Sequence, residues 1–245
     1  MGKIFVIGIG PGSIDEMSIR ARTAVENSEV IIGYKTYIDL IQNLTTGKKI
    51  VANGMMNEIE RCKSAIDEAK NFERVAVISS GDSGIYGMAG LILELILQLP
   101  AENRPEVEII PGISASNSAA SILGAPLMND FATISLSDLL TPWQVIEQRI
   151  EHAAAGDFVI AFYNPKSHKR TEQIEIARKI LLKYRNPKTP VGIVTNSSRD
   201  HEEKIVSTLE NFTQENISMT SVVIVGNSKT FSKDGYIVTP RGYII

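Results

Sequence analysis

The chain has 245 residues, which is enough for one large domain or two compact ones. Its formal net charge of −3 argues against a general nucleic-acid binder, and its single cysteine excludes an internal disulfide and a cysteine-based zinc site. A cytoplasmic location fits the lack of disulfides, and the longest apolar stretch, residues 91–99, is too short to span a membrane.

Apolar runs of strand length alternate with segments of helical period along the first half of the chain. The predicted strands are 3–9, 30–32, 49–51, 74–79 and 106–110, and the predicted helices are 18–27, 35–43, 57–72, 88–99 and 114–123. Nearly continuous Val and Ile runs are typical of strands that are covered on both faces, as in a mostly parallel sheet.

A second series follows residues 124–130, which look like a connection between domains. Its predicted strands are 131–136, 157–163, 190–195, 203–206 and 221–225, and its predicted helices are 143–155 and 169–184. The strands and helices alternate less regularly here, which indicates some antiparallel pairing. We therefore predict an α/β fold with an N-terminal domain, 1–127, built on a mostly parallel sheet and a C-terminal domain, 128–245, built on a mixed sheet.

The most informative segment is the predicted turn from strand to helix at residues 79–90. Gly81, Asp82 and Tyr86 supply a flexible backbone, a carboxylate and a phenol ring at a place where α/β proteins bind ligands. A plain alternative is that Asp82 only caps the next helix.

A second glycine-rich loop, Gly8-Ile9-Gly10-Pro11-Gly12-Ser13, follows the first predicted strand. A dinucleotide fingerprint would have glycine at Ser13 and an acidic residue after the second strand, where Gly33-Tyr34-Lys35 stands. The loop therefore fits a ligand site but is a poor NAD site. A tight turn without a ligand is the alternative.

Residues 109–116 also join a strand to a helix. Ser114 or Ser116 can cap that helix, and the free N–H groups of its first turn can accept a ligand oxygen. Helix capping alone is the alternative for both serines.

Two further loops follow strands of the second half. Residues 162–170 hold Lys166, Lys169 and Arg170, which suit carboxylate binding, although Lys169 fits the solvated start of a helix equally well. Residues 194–201 hold Asn196 and Arg199. The three histidines of the chain lack metal-binding spacing, so no metal site is predicted.

Three of these segments together, Gly8–Gly12, Ser80-Gly81-Asp82 and Pro111–Ala115, resemble the tetrapyrrole methylase family over essentially the whole chain. That family usually has proline at the position of Ser83. Serine there, together with residues 137–143 and 163–167, resembles the branch of precorrin-3B C(17)-methyltransferases of cobalamin biosynthesis.

The resemblance implies two α/β domains, with S-adenosylmethionine bound in the cleft between them, and a homodimer. It also implies methylation of carbon 17 of a corrin precursor with contraction of the ring. The substrate carries cobalt in the anaerobic route and is metal-free in the aerobic route, and the sequence does not separate the two.

The residues that line the cofactor pocket by this resemblance are Pro11, Gly81, Asp82, Ser83, Tyr86, Ser114, Ala115, Asn164, Asn196 and Gly226. The candidates for binding the substrate carboxylates are Lys166, Arg170 and Arg199. The candidates for the proton transfers of ring contraction are Asp138, Tyr163 and His168, among which the sequence does not choose.

Three other functions stay open at this point. One is methyl transfer to another position of the same macrocycle, such as carbon 11 or carbon 20. Another is a non-catalytic tetrapyrrole-binding protein, and the third is an NAD-dependent enzyme, which Ser13 and the missing acidic residue weaken.

Overall fold

The computed structural model describes residues 1–54 and 57–244, which form two compact units, Met1–Ala115 and Ser116–Ile245. The two units meet at the start of a helix, α5 (Ala115–Leu123), and the domain boundary after residue 127 stays a prediction from the sequence. That helix stays with the second unit because Ser116 and Ser118 form hydrogen bonds to residues of that unit.

The first unit is built on a five-stranded sheet in which every strand is parallel to its neighbours, as predicted. Its strands, in the spatial order β3-β2-β4-β1-β5, are β1 (Lys3–Gly8), β2 (Val30–Tyr34), β3 (Lys49–Asn53), β4 (Arg74–Ser79) and β5 (Glu106–Ile110). Its helices are α1 (Ile19–Asn27), α2 (Lys35–Asp39), α3 (Glu58–Glu68) and α4 (Ala89–Leu97), with short 3₁₀ turns at Ile14–Glu16, Gln42–Leu44 and Ala101–Asn103.

Both faces of this sheet are buried under helices. Successive side chains of a strand point to opposite faces, so each strand contributes to the core on both sides. On β1, Ile4 and Val6 pack in one core cluster with side chains of α3 and α4, such as Cys62 and Ile92. Ile7 packs in the other cluster, with side chains of α1 and α2. Because β4, β1 and β5 are parallel neighbours, their carboxyl ends lie side by side at one edge of the sheet.

The second unit is built on a mixed sheet in the spatial order β10-β9-β11-β8-β7. It also contains a small three-stranded sheet in the order β12-β13-β6. The strands are β6 (Gly124–Ala125), β7 (Phe131–Ser135), β8 (Val159–Tyr163), β9 (Pro190–Thr195), β10 (Glu203–Thr208), β11 (Ser221–Val225), β12 (Phe231–Lys233) and β13 (Tyr236–Val238). After α5, the helices are α6 (Trp143–Ala155) and α7 (Gln173–Leu181), with a 3₁₀ turn at Phe212–Gln214.

The direction of each strand decides which loops can share a site in this unit. Strands β7 and β8 are parallel, and β11 is antiparallel to both β8 and β9. Strands β7, β8 and β9 therefore end at the same edge of the sheet, whereas β11 ends at the opposite edge. One core cluster, which includes Phe162, Phe212 and the apolar stripes of α6 and α7, covers one face.

Within residues 1–54 and 57–244, no helix is long and apolar enough to cross a membrane.

Candidate functional site

Backbone hydrogen bonds join the loops that follow β1 and β4. The N–H of Gly10 donates to the carbonyl of Gly81 at 3.1 Å, and the N–H of Gly81 donates back to the carbonyl of Gly10 at 2.7 Å. Both residues have positive φ, 77° for Gly10 and 69° for Gly81, which glycine adopts without steric cost. The glycines singled out in the sequence thus pair two loops into one surface.

Asp82 joins the loop after β4 to the loop after β5. Its Oδ1 accepts the N–H of Gly84 at 2.8 Å, and its Oδ2 accepts the N–H of Gly112 at 3.0 Å. The side chain is half-buried, and a carboxylate has about four acceptor sites, so both oxygens can accept a further donor. Asp82 therefore links two loops, and its carboxylate can still accept hydrogen bonds from a ligand.

The loops after β1, β4 and β5 pack so closely at their glycines that side chains at those positions would clash with the backbone. A Cβ atom added to Gly112 would lie 2.3 Å from the carbonyl oxygen of Gly81 and 2.6 Å from that of Gly8. A Cβ on Gly81 would lie 3.5 Å from the backbone nitrogen of Ala115. The structure thus brings together the predicted residues Gly81, Asp82 and Ala115 within the first unit.

Ser83 links the loop after β4 to the end of β5. Its side chain is fully buried, and its hydroxyl donates to the carbonyl of Ile110 at 3.2 Å. Pro11 and Ser114 are buried as well. The contacts of these three residues with the cofactor stay predictions.

The outer surface of the loop after β4 is apolar and strained. Tyr86 is 55% exposed and has a φ of 53°, a left-handed conformation that is rare for a bulky residue. Ile85 and Ile113 are exposed too. Strained backbone and exposed apolar side chains beside a carboxylate are typical of a ligand site.

In the second unit, predicted residues follow β8 and β9 at the same edge of the sheet. Asn164 and Asn196 come directly after these strands, with φ values of 50° and 53°. The amide of Asn164 donates to the hydroxyl of Ser135, at the end of β7, at 3.0 Å. Asparagine tolerates this left-handed conformation better than most residues, so each loop turns sharply as it leaves its strand.

Gly226 lies at the opposite edge of the sheet from these two asparagines, and its predicted contact with the cofactor stays a prediction. It follows β11, whose five residues separate the two edges by roughly 17 Å. Its N–H donates to Pro190 at 2.9 Å, and Arg185 donates to its carbonyl at 2.6 Å. Arg185 is buried here, and burial lowers its pKa to about 10.

Arg170 is buried, although the sequence makes it a candidate for binding a substrate carboxylate. Only 7% of it is exposed, and its Nη2 donates to the carbonyl of Asn164 at 2.9 Å. Burial lowers its pKa, and the charge of Asp138 opposes that shift. Arg170 therefore holds the turn at Asn164, while Lys166 and Arg199 are half-buried and lie nearer to solvent.

The three candidates for proton transfer lie at the same edge of the second unit. Asp138 is exposed after β7 and accepts a hydrogen bond from Gln173 at 2.9 Å. His168 is exposed at the tip of a tight turn that is closed by hydrogen bonds between Ser167 and Arg170. Tyr163 ends β8, and its hydroxyl donates to the Ser116 hydroxyl at 3.0 Å and accepts the Ser116 N–H at 2.9 Å. The phenol thus caps α5.

A group of serine hydroxyls was missed by the sequence reasoning. Ser118 on α5 forms hydrogen bonds with Ser197 and, at 3.3 Å, with Ser198, in the loop after β9. The only signal for it was the pair of adjacent serines in that loop. Across the described part of the chain, no group of three or more His, Cys, Asp or Glu residues could hold a metal ion.

Comparisons with known proteins bear on the whole chain. The sequence profile of the family described as Tetrapyrrole (Corrin/Porphyrin) Methylases matches residues 3–213. A cobalt-factor III methyltransferase of Priestia megaterium is 54% identical over 244 residues, which are 99% of this chain but 45% of that protein. The chain therefore spans about half the length of that relative.

A probable cobalt-factor III C(17)-methyltransferase of Salmonella typhimurium is 51% identical over 240 residues, which are 98% of this chain and 99% of that protein. The crystal structure of the methyltransferase CobJ superposes with a TM-score of 0.92 at 34% identity, covering 98% of this chain and 100% of the other. The chain belongs to the tetrapyrrole (corrin/porphyrin) methylase family.

Proposed function

We propose that the protein transfers a methyl group from S-adenosylmethionine to carbon 17 of cobalt-factor III, or of its metal-free counterpart precorrin-3B, and contracts the ring during cobalamin biosynthesis. The observation that carries this proposal is the match over almost the full length of both chains, at 51% identity, with the probable cobalt-factor III C(17)-methyltransferase of Salmonella typhimurium.

The first unit supplies a surface whose chemistry fits the cofactor. Asp82 can accept hydrogen bonds from hydroxyl or ammonium groups, and the crowded glycine backbones let a ligand lie against the main chain. Ile85 and Tyr86 offer apolar contacts for a flat ring. When bound, S-adenosylmethionine supplies an activated sulfonium methyl group, so no covalent enzyme intermediate is needed.

The protein's part in methyl transfer is alignment and exclusion of water. Exposed Ile85 and Tyr86 supply apolar cover next to the Asp82 carboxylate. Contributions of Asn164 and Asn196 to the cofactor pocket stay predictions, and both residues are held in defined turns.

We further propose that Lys166 and Arg199 bind carboxylates of the corrin precursor, with Arg170 positioning the Asn164 turn behind them. A cationic side chain near solvent can bind a carboxylate at little cost. Arg170 is buried and donates to the Asn164 carbonyl, and its own contact with the substrate stays a prediction. For ring contraction, Asp138 and His168 are the exposed candidates for proton transfer.

The proposed activity is tested by incubating the protein with cobalt-factor III and S-adenosylmethionine carrying a ¹³C-labelled methyl group. NMR of the product is expected to show the label on carbon 17 of a contracted ring. Label on another carbon, such as carbon 11 or carbon 20, would refute the position, and binding without turnover would support a carrier.

A homodimer and a cytoplasmic location complete the proposal. Sedimentation of the purified protein is expected to give twice the mass of one chain, which is 26.8 kDa. A monomer at micromolar concentration would contradict the proposed assembly. What supports the proposed location is the chain's one cysteine, Cys62, which is buried and forms no disulfide, as is typical of cytoplasmic proteins.

A further inference from the structure

Two adjacent leucines are exposed to solvent on the loop that joins β7 to α6. Leu139 is 69% exposed and Leu140 is 99% exposed. Single exposed apolar side chains are ordinary, but two adjacent leucines on one loop form a contiguous apolar surface that can contact a ligand or partner. No helix or strand of the described residues covers Leu140.

The loop that carries these leucines is held on its N-terminal side. The N–H of Leu136 donates to the carbonyl of Tyr163 at 2.9 Å, and the N–H of Ser137 donates to the Ser135 hydroxyl at 3.2 Å. Asp138, which directly precedes Leu139, accepts the hydrogen bond from Gln173. The two leucines therefore stand on a backbone that is anchored to β8 and α7.

The neighbouring loop is cationic. Because β7 and β8 are parallel neighbours, the turn after β8 emerges beside the leucine loop, and it carries Lys166 and Lys169. Among the described residues, neither lysine takes part in an ion pair with a carboxylate of the chain. An apolar surface thus lies next to positive charge that is not neutralised.

We propose that Leu139 and Leu140 contact the apolar face of the tetrapyrrole ring, while Lys166 and Lys169 bind its peripheral carboxylates. This inference rests on the proposed function and deepens it, because it names the surface that recognises the substrate. The charge pattern selects this occupant: a flat apolar ring with an anionic rim matches both parts of the surface, whereas a purely apolar partner leaves the lysines unused.

Binding of cobalt-factor III is measured by absorbance titration with S-adenosylhomocysteine present, in the whole protein. Leu140→Ser is expected to weaken binding about tenfold, and the double variant Leu139→Ser/Leu140→Ser up to about a hundredfold. The affinity for S-adenosylhomocysteine, measured by calorimetry, should not change. Leu140→Met is expected to restore binding because it keeps the apolar surface.

The matched control is Leu97→Ser, at the end of α4, where the leucine is 62% exposed and distant in sequence from the loop. It should bind the tetrapyrrole as the original chain does. Unchanged affinity in the double variant would overturn the proposal, as would a change in sedimentation mass, which would assign the leucines to a contact between two copies.

Failure of the proposed function would look different from failure of this inference. The original chain is assayed for methylation first. If it binds cobalt-factor III without methylating it, the activity is refuted, and the same titration series still decides whether the leucines hold the ring.

Discussion

Replacing Asp82 separates its structural role from its role in binding. Its carboxylate accepts two backbone N–H groups, at 2.8 Å from Gly84 and 3.0 Å from Gly112. A hydrogen bond to a charged group contributes about 1.5–3 kcal/mol, and the lower value applies to a half-buried residue. Asp82→Ala is therefore expected to lower the free energy of unfolding by about 3 kcal/mol.

Asp82→Asn is the milder change, because the amide oxygen can still accept one of the two N–H groups. We expect it to cost about 1.5 kcal/mol of stability, since the amide NH₂ cannot accept the second. Loss of the negative charge is expected to weaken binding of S-adenosylhomocysteine about tenfold to a hundredfold.

Stability is measured by urea unfolding and affinity by isothermal titration calorimetry. The control is Asp67→Asn, which removes an exposed carboxylate that pairs only with Lys70 on the surface, at 2.6 Å. That change should cost a few tenths of a kcal/mol and leave binding unaltered. If Asp82→Asn loses stability but binds S-adenosylhomocysteine as tightly as the original chain, Asp82 only joins the loops and the binding argument is refuted.

Three further variants test other parts of the structure. Tyr163→Phe should cost about 1 kcal/mol in urea unfolding, through the lost cap of α5, and an unchanged midpoint would contradict the cap. Tyr86→Gly removes the exposed phenol ring and should weaken binding of S-adenosylhomocysteine in calorimetry; an unchanged affinity would contradict the proposed contact with the cofactor. Burial raises the pKa of Cys62 from 9.0 to about 11, so the folded thiol keeps its proton between those pH values while the unfolded one loses it. Stability should therefore fall by about 2–3 kcal/mol from pH 9 to pH 11, and pH-dependent urea unfolding of Cys62→Ala should lack that component.

Much of the fold could be predicted because burial leaves a strong pattern. The Val and Ile runs at 30–32 and 74–79 indicate strands that are covered on both faces, and both strands lie inside the parallel sheet. The sheet formed by β6, β12 and β13 was missed, since Gly124–Ala125 is too short for any periodicity.

Less of the candidate site could be predicted, because local sequence does not determine the direction of a strand or the orientation of a side chain. Gly226 follows a strand just as Asn196 does, but β11 runs the other way. Arg170 resembles a surface cation until the fold buries it against Asn164, and Ser83 faces inward for a similar reason. The sequence singled out Asp82 because glycines surround it. Its second hydrogen-bond partner, Gly112, lies 30 residues away in the chain, so local sequence could not predict that contact.

The crowding of Gly8, Gly81 and Gly112 has a consequence for how such a protein can be altered. At that place the surface consists of main chain, so exchanging side chains elsewhere in the first unit leaves its shape and polarity nearly constant. With the substrate bound as proposed, a change of acceptor molecule therefore calls for redesign of the loops after β7 and β8, with the three glycines left untouched.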